Sequence, residues 1–525
     1  MQHRLLTFFR IDLRSLAVFR MALGLLLIAD LLVRFGDLTA FYTDAGVVPR
    51  DILVRQSPNA PWLSLHVWGG SWLWQATLFA VSALLATSLF VGYRTRWSVF
   101  LSWLLLVSLQ SRNPLVLNGG DVLLRTLLMW SNFLPLGRRW SLDCRHQRAD
   151  GEKTFLSPAS AAVMLHVCLM YWMTGYFKYD GWGDTPNVFF QVIDFHSYAK
   201  ALVYRLVQHP DMVSWLGYGV LALEIIGPAF LFIPFWTRQI RMVVVLAFFL
   251  LHLGIELSLT VGMFTYVSWC AWLLFVPDLF WDSITQRGPG RSCPEAKELL
   301  LQAGGPVEEA LVLDSSSRSV SCRWGRSRTA AVLASLVFGY ALAWNISTSR
   351  SDWNRWFRES TPMWLNDLLL VRQRWNMFAL PAVRDGWFVM VARLRDGTVV
   401  DLLRNGAVAD WGSFNKPSLI YLRYPNHRWR KFYRNVAIGR ADAFLPNLCR
   451  FEARGWEMRH GSSQAVDKIE LYFMQQMSRD PADRDLFMQR IVHEESFARE
   501  TREVEPREGE VAARVECLAG QTIGP

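Results

Sequence analysis

The residues best suited to chemistry in this chain stand on apolar stretches. The stretch 161–182, AAVMLHVCLMYWMTGYFKYDGW, has the length and composition of a membrane-spanning helix and carries a single lysine, Lys178. An ionisable group costs about 2.5–3.5 kcal/mol at the centre of such a helix, and less near an interface. Tyr176, Phe177, Tyr179 and Trp182 could screen the amine from water. A desolvated lysine loses its proton more easily and can act as a base near neutral pH. The competing expectation is a lysine at a helix end that reaches out to the headgroups. His252 and Glu256 share a helix face at i,i+4, on the same half of the membrane as Lys178. The bend Asn118-Gly119-Gly120-Asp121 brings further polar groups to that level. A lysine base, an imidazole and carboxylates around an aromatic-rich apolar cavity suit proton abstraction from a lipophilic molecule. The other ionisable residues of the apolar stretches, Arg20, Asp30, Arg125 and Glu224, are expected to pair with one another and fix helix register.

These groups need a membrane domain to position them. Of 525 residues, 52% are hydrophobic, with 25 Trp and 33 Phe, and the mean hydropathy is positive. Repeated apolar runs of about 18 residues then indicate a polytopic membrane protein. Nine spans can be drawn, at 16–33, 72–91, 97–110, 122–136, 161–177, 215–235, 242–259, 264–280 and 329–344. The bend SRNPLVLNGGD (111–121) is expected to enter the membrane partway, which irregular backbone does only where protein buries it or it lines a cavity. Basic residues concentrate at the N-terminus (Arg4, Arg10, Arg14) and in the even-numbered loops, as at Arg94 and Arg96, or Arg238 and Arg241. By the positive-inside rule these are cytoplasmic, so Lys178 and everything after the ninth span face outward. The expected fold is thus an all-α polytopic bundle of about nine spans, N-in and C-out, in the plasma (inner) membrane, with a small extracytoplasmic α+β domain.

The rest of the chain divides by composition. A membrane domain of eight spans covers 1–285, a Gly-, Ser- and Arg-rich cytoplasmic linker 286–328, and the ninth span 329–346. The α+β domain follows at 347–480, then a charged tail at 481–525, partly helical and otherwise flexible. GWFVMVARL, SLIYLRY and KIELYFMQ are strand candidates, and Asp396-Gly397 favours a hairpin turn. Arg428, Arg430, Lys431 and Arg434 lie in a stretch of helical spacing and read as a solvated face or a contact with anionic headgroups, so no nucleic-acid partner is expected. The seven cysteines show no CxxC and no metal spacing, so no metal is expected. Phosphate loop, nucleophile elbow, HExxH and dinucleotide fingerprint are absent from the sequence.

The order of motifs resembles a known family. LAVFRMALGLLLIADLLVRF and LTAFYTDAGVVPR are similar to the opening of the HTTM (horizontally transferred transmembrane) domain, shared with vitamin K-dependent γ-glutamyl carboxylase. TGYFKYDGW resembles the carboxylase segment with the active-site lysine, and HLGIELSLTVGMFTYV resembles a segment with a histidine followed by Gly-Met-Phe-x-Tyr. QRWNMFALPAVRDGWFVMVARLRDGTVVDL resembles the start of the extracytoplasmic region of bacterial HTTM proteins. The resemblance implies Lys178 and His252 as catalytic residues, and Glu256, Asn118, Asp121 and Tyr266 as substrate-binding ones. It implies reduced vitamin K or another quinol as cofactor, with O2 and CO2 if the protein is a carboxylase. The lysine would deprotonate the quinol, whose reaction with oxygen makes a far stronger base. Two departures matter: Asn118-Gly119 stands where the carboxylase has Asn-His, and the outward domain is much shorter. Quinol binding or oxidation is therefore better supported than carboxylation of a protein. The expected partners are the lipid bilayer, a lipophilic small molecule and an extracytoplasmic protein or peptide. The alternative is a non-enzymatic membrane anchor with an interaction or transport-associated role.

Overall fold

The structure, a computed structural model, describes residues 7–57, 60–145, 153–182, 197–285, 328–347, 360, 375–377, 386–409, 417–476 and 487–496. Long apolar helices dominate: α1 (Leu13–Gly36), α2 (Trp72–Val91), α3 (Thr95–Arg112), α5 (Pro158–Trp182), α6 (Pro210–Phe230), α7 (Thr237–Ser258) and α10 (Arg328–Ser347). Shorter α4 (Gly119–Ser131), α8 (Phe264–Trp272) and α9 (Asp278–Thr285) complete the bundle, and a short antiparallel ladder of β1 (Ile11–Asp12) and β2 (Thr154–Phe155) joins the chain just before α1 to that just before α5. Their ends follow from local chemistry. Asp12 caps α1 by accepting from the Arg14 amide at 2.7 Å, and α2 starts at Ser71 and stops at Gly92 in the left-handed region.

Six of these helices, α1, α2, α5, α6, α7 and α10, are long and apolar enough to cross a membrane. That is fewer than the nine expected, and each difference has a cause. Ser98, Ser102, Ser108 and Gln110 make α3 less apolar, and all four are buried against protein. α4 has 13 residues, about 20 Å at 1.5 Å per residue against a hydrocarbon core of about 30 Å. The eighth expected span is two helices, Phe264–Phe275 and Asp278–Ile284, bent by 92°. Pro277 sits at the break, where it lacks the N–H that would continue the helix. If that bent pair is one span, the count is seven.

The C-terminal part is a five-stranded antiparallel sheet, β5-β4-β3-β6-β7, with two helices, α11 (His427–Ala437) and α12 (Leu445–His460). The strands are β3 (Gly386–Leu394), β4 (Val399–Asp401), β5 (Ala407–Val408), β6 (Val466–Gln476) and β7 (Phe487–Ser496). β3 pairs with β6 from Gly386↔Gln475 onward. The β3–β4 turn is the expected Asp-Gly: Gly397 has φ +87°, and Asp396 Oδ1 accepts from the Thr398 amide at 2.8 Å. Two expectations are corrected. SLIYLRY forms a 3-10 turn, Ile420–Arg423, rather than a strand. β7 lies inside 481–525 and pairs along β6, so that part of the stretch read as a charged tail belongs to the sheet.

One apolar core fills the bundle around Phe19, Leu127, Val163, Phe248 and Trp272. A second is shared by both parts of the chain: Phe41, Tyr42, Val47 and Val48 pack with Trp387, Phe388, Trp429 and Phe432. The helix α11 makes the junction. Its Trp429 ring lies 4.5 Å from that of Phe41. Arg428 and Arg430 are buried, so the expected solvated basic face is instead an intramolecular interface. The apolar positions of α11 alternate with arginines whose partners lie across the junction, a pattern that sequence cannot distinguish from a wet basic face.

Candidate active site in the helical bundle

Lys178 stands near the end of α5 and is 4% exposed. Its shield is not the aromatic pair beside it, since Tyr176 and Tyr179 are exposed. The neighbour is α6. Lys178 Nζ donates to both carboxylate oxygens of Glu224, at 2.6 and 2.7 Å, and Glu224 is also 4% exposed. The close approach has a local cause at Gly175: a Cβ there would meet Ile225 Cγ1 at 2.7 Å. The Trp172 indole donates to the Ile225 carbonyl at 3.0 Å and holds the same crossing. On α6, Pro228 has no N–H to give to the carbonyl of Glu224 four residues earlier, which loosens the helix at the carboxylate.

Tyr171 lies two turns before Lys178 on the same face of α5. Its hydroxyl bonds His252 Nε2 of α7 at 2.7 Å and accepts from Trp272 Nε1 of α8 at 2.8 Å. With the indole as donor, the tyrosine hydrogen is assigned to His252 Nε2. The neutral imidazole then carries its own proton on Nδ1, which is buried and has no hydrogen-bond partner. His252 is 1% exposed, and the charge of Lys178 reaches it, as that of Glu224 reaches Tyr171. Four helices thus bury two polar groups in one apolar core, Lys178 with Glu224, and Tyr171 with His252 and Trp272.

The match to known proteins follows the same helices. A model of the HTTM domain matches residues 8–280, more than half of the chain. The chain belongs to the HTTM domain family. No curated protein and no solved structure matches it. With its apolar helices, it is an integral, multi-pass membrane protein of that family.

Within the HTTM domain the remaining expected residues lie elsewhere. Glu256 is held by Lys200, Nζ to Oε1 at 3.0 Å and to the Glu256 carbonyl, rather than by His252 one turn before it. Its Oε2 is buried and unpartnered. Asn118 caps α4, accepting from the amides of Gly120 (2.8 Å) and Asp121 (3.3 Å). Asp121 closes that capping box and joins a second buried charge cluster. There Arg34 donates to Asp30 (2.7 Å), Asp121 (2.6 Å) and the Tyr42 hydroxyl (2.7 Å). Arg428 of α11 donates to Asp30 and, at 3.1 Å, to Asp121. Asp121 therefore pairs with Arg34 and Arg428. Tyr266 is 43% exposed and meets Trp269 edge-on at 5.6 Å. Arg20 does not pair with an acid; its nitrogens bond the carbonyls of Phe90, Leu136, Arg139 and Trp140.

Sequence reasoning flagged Glu224 only as a register residue and missed Tyr171, Trp272 and Lys200. For Tyr171 a signal existed, the i,i+7 spacing to Lys178. For Lys200 there was none, because its pairing depends on how the chain returns after α5. His252 Nδ1 is one uncommitted donor and Glu256 Oε2, one turn further along α7, one uncommitted acceptor, and both atoms are buried.

Proposed function

We propose that this HTTM protein holds a lipophilic quinol-type molecule beside Lys178 and draws a proton from it, in a carboxylase- or epoxidase-like reaction. The observation that supports this reading is the burial of Lys178 against Glu224 inside the protein. A buried ion pair is expensive to keep charged in apolar surroundings. Moving one proton along the 2.6 Å hydrogen bond from Lys178 to Glu224 converts it into a neutral amine and a carboxylic acid, so the carboxylate prepares the amine as a base. A quinol, when bound, supplies a phenol-like hydroxyl of pKa about 10 and its reactivity toward O2. Glu256 Oε2 can accept from such a hydroxyl, and His252 Nδ1 can donate to the oxygen that loses its proton, with Tyr171 and Trp272 holding the imidazole. The site lies on the outward half of the membrane, and the sheet domain with α11 is extracytoplasmic.

The test is quinol-dependent oxygen uptake by purified protein in detergent. Wild type should be active. Lys178→Arg keeps a charge on Glu224 but cannot give up its proton near neutral pH, so it should lose at least about 100-fold, the range of general-base contributions. Folded wild type without quinol-dependent uptake, or an active Lys178→Arg, would overturn the reading. A second reading rests on the bidentate closure of Glu224 on Lys178: the pair is a structural lock in a non-enzymatic anchor. Under it, wild type consumes no oxygen.

A further inference from the structure

A different polar centre, away from Lys178, has an unmet requirement. Arg112, the last residue of α3, is fully buried. The other fully buried arginines are compensated: Arg34 and Arg428 by two aspartates each, Arg20 by four carbonyls. Arg112 makes one long hydrogen bond, Nη2 to the Thr43 carbonyl at 3.5 Å. Its Nε and Nη1 have no partner, and it forms no ion pair among the described residues. The acidic group nearest in effect, Asp44, is engaged by Arg50 at 2.7 Å. A guanidinium stays charged in a protein, and a buried charge without a counter-charge costs several kcal/mol.

A second open atom lies at the same end of α3. Ser108, one turn before Arg112, fixes the 3-10 turn Leu65–Val67: Ser64 Oγ donates to the Ser108 carbonyl at 2.6 Å, and the Leu65 amide to Ser108 Oγ at 2.8 Å. That turn carries His66, fully buried. Gln75 Nε2 donates to the carbonyls of His66 (2.9 Å) and Gly69 (2.6 Å), so its Oε1 faces His66 Nδ1, at 2.6 Å. The proton of the neutral ring is therefore on Nδ1, and the unpartnered Nε2 is an acceptor. Burial first, and then the charges of Arg112 and Arg34, push His66 down to about 4, so the ring is neutral at pH 7.

We propose that Arg112 and His66 form a binding site for a small oxyanion that carries one O–H, such as hydrogencarbonate or a hydrogen phosphate. The planar edge of the guanidinium left open by the single bond to Thr43, Nη2 with either Nη1 or Nε, holds the charged oxygens, and the O–H donates to His66 Nε2. Acetate offers the charge without the O–H, and a lipid phosphodiester is like acetate in this respect. Chloride offers neither the planar edge nor the O–H.

The experiment is thermal unfolding of the full chain in detergent, followed by tryptophan fluorescence at fixed pH and ionic strength, against hydrogencarbonate, phosphate, acetate and chloride. Hydrogencarbonate or phosphate should raise the melting temperature saturably, by about 2 °C or more. Acetate should do less and chloride nothing. Arg112→Met should abolish the response, and without any anion should melt no lower than wild type, because an unpaired charge has gone. Arg112→Lys, lacking the planar fork, should respond more weakly. No response of wild type to either oxyanion, an equal response to chloride, or a response that survives in Arg112→Met would overturn the site. An acetate response equal to that of hydrogencarbonate would overturn the part assigned to His66.

Discussion

At the residue scale, the Lys178–Glu224 pair separates into a stability effect and a chemical one. Lys178→Met leaves the Glu224 carboxylate buried without its partner and should cost about 3–5 kcal/mol. Replacing both by methionine removes the orphan and should recover most of that loss in a melting measurement, while proton transfer stays abolished. If the double variant melts no higher than the single one, the two side chains are not the closed pair described. The sequence made Lys178 and His252 visible because a titratable group on an apolar run is costly and therefore conspicuous. It could not show that Glu224 is the partner of Lys178, since a hydrogen bond between residues 46 apart depends on how α5 and α6 cross. The permission for that crossing is written at Gly175, but a glycine in an apolar helix reads the same whether or not another helix touches it. Gly175→Leu should force the helices apart, since even a Cβ would come within 2.7 Å of Ile225 Cγ1. A crosslink between cysteines engineered across this contact, formed in the parent and lost in Gly175→Leu, would register the separation.

At the element scale, α11 decides how the two parts of the chain are joined. Its sequence, HRWRKFYRNVA, suggested a wet basic surface, and the error was one of partners rather than of helix. Asn426 caps it through the amides of Arg428 (2.9 Å) and Trp429 (3.3 Å) and also donates to Asp37 at 2.7 Å. Arg430 reaches the carbonyls of Ser197 and Thr260, and Tyr198 lies beneath its guanidinium at 4.0 Å. Arg428→Gln would leave Asp30, Asp121 and Arg34 with a net negative charge and should cost about 3–5 kcal/mol in thermal unfolding. The first residue of the helix adds a pH dependence. His427 packs on Gly262, where a Cβ would come within 2.6 Å of its ring, and its Nε2 is buried without a partner. Burial, and then the charge of Arg428, opposed in part by Asp121 and Asp30 and helped by Arg430, push His427 down to about 4. A histidine lowered in the folded state contributes stability above its unfolded value of about 6.5, and that stability is lost as pH falls toward 4. Wild type should therefore weaken by about 1–2 kcal/mol between pH 7 and pH 5 relative to His427→Gln. Melting curves of the two proteins at these pH values that run parallel would remove His427 from the account.

At the scale of the whole molecule, the hydropathy pattern conveyed a membrane bundle followed by a sheet domain because both are written in local periodicity. The span count was less legible. The 92° break at Pro277 and the 13-residue α4 involve apolar residues buried by protein rather than by lipid, and composition alone does not tell those two solvents apart. Exposed Trp68 and Trp72 at one end of α2, with Tyr93 and Trp97 beyond the other, place aromatic rings at both expected interfaces. The proposed outward orientation can be checked with a reporter fused after Leu403, which should behave as exported; cytoplasmic activity there would reverse the topology. The joint between the two parts also bears on how the protein is made. Asp30 is synthesised 398 residues before its partner Arg428, so during translation the bundle waits with two acidic groups around one arginine and an uncovered apolar face at Phe41. A ribosome that stops short of α11 leaves a chain that is inserted but unfinished, the kind of surface that membrane chaperones and proteases recognise. Only once α11 has been made can Arg428 meet Asp30 and Asp121 and Trp429 cover Phe41.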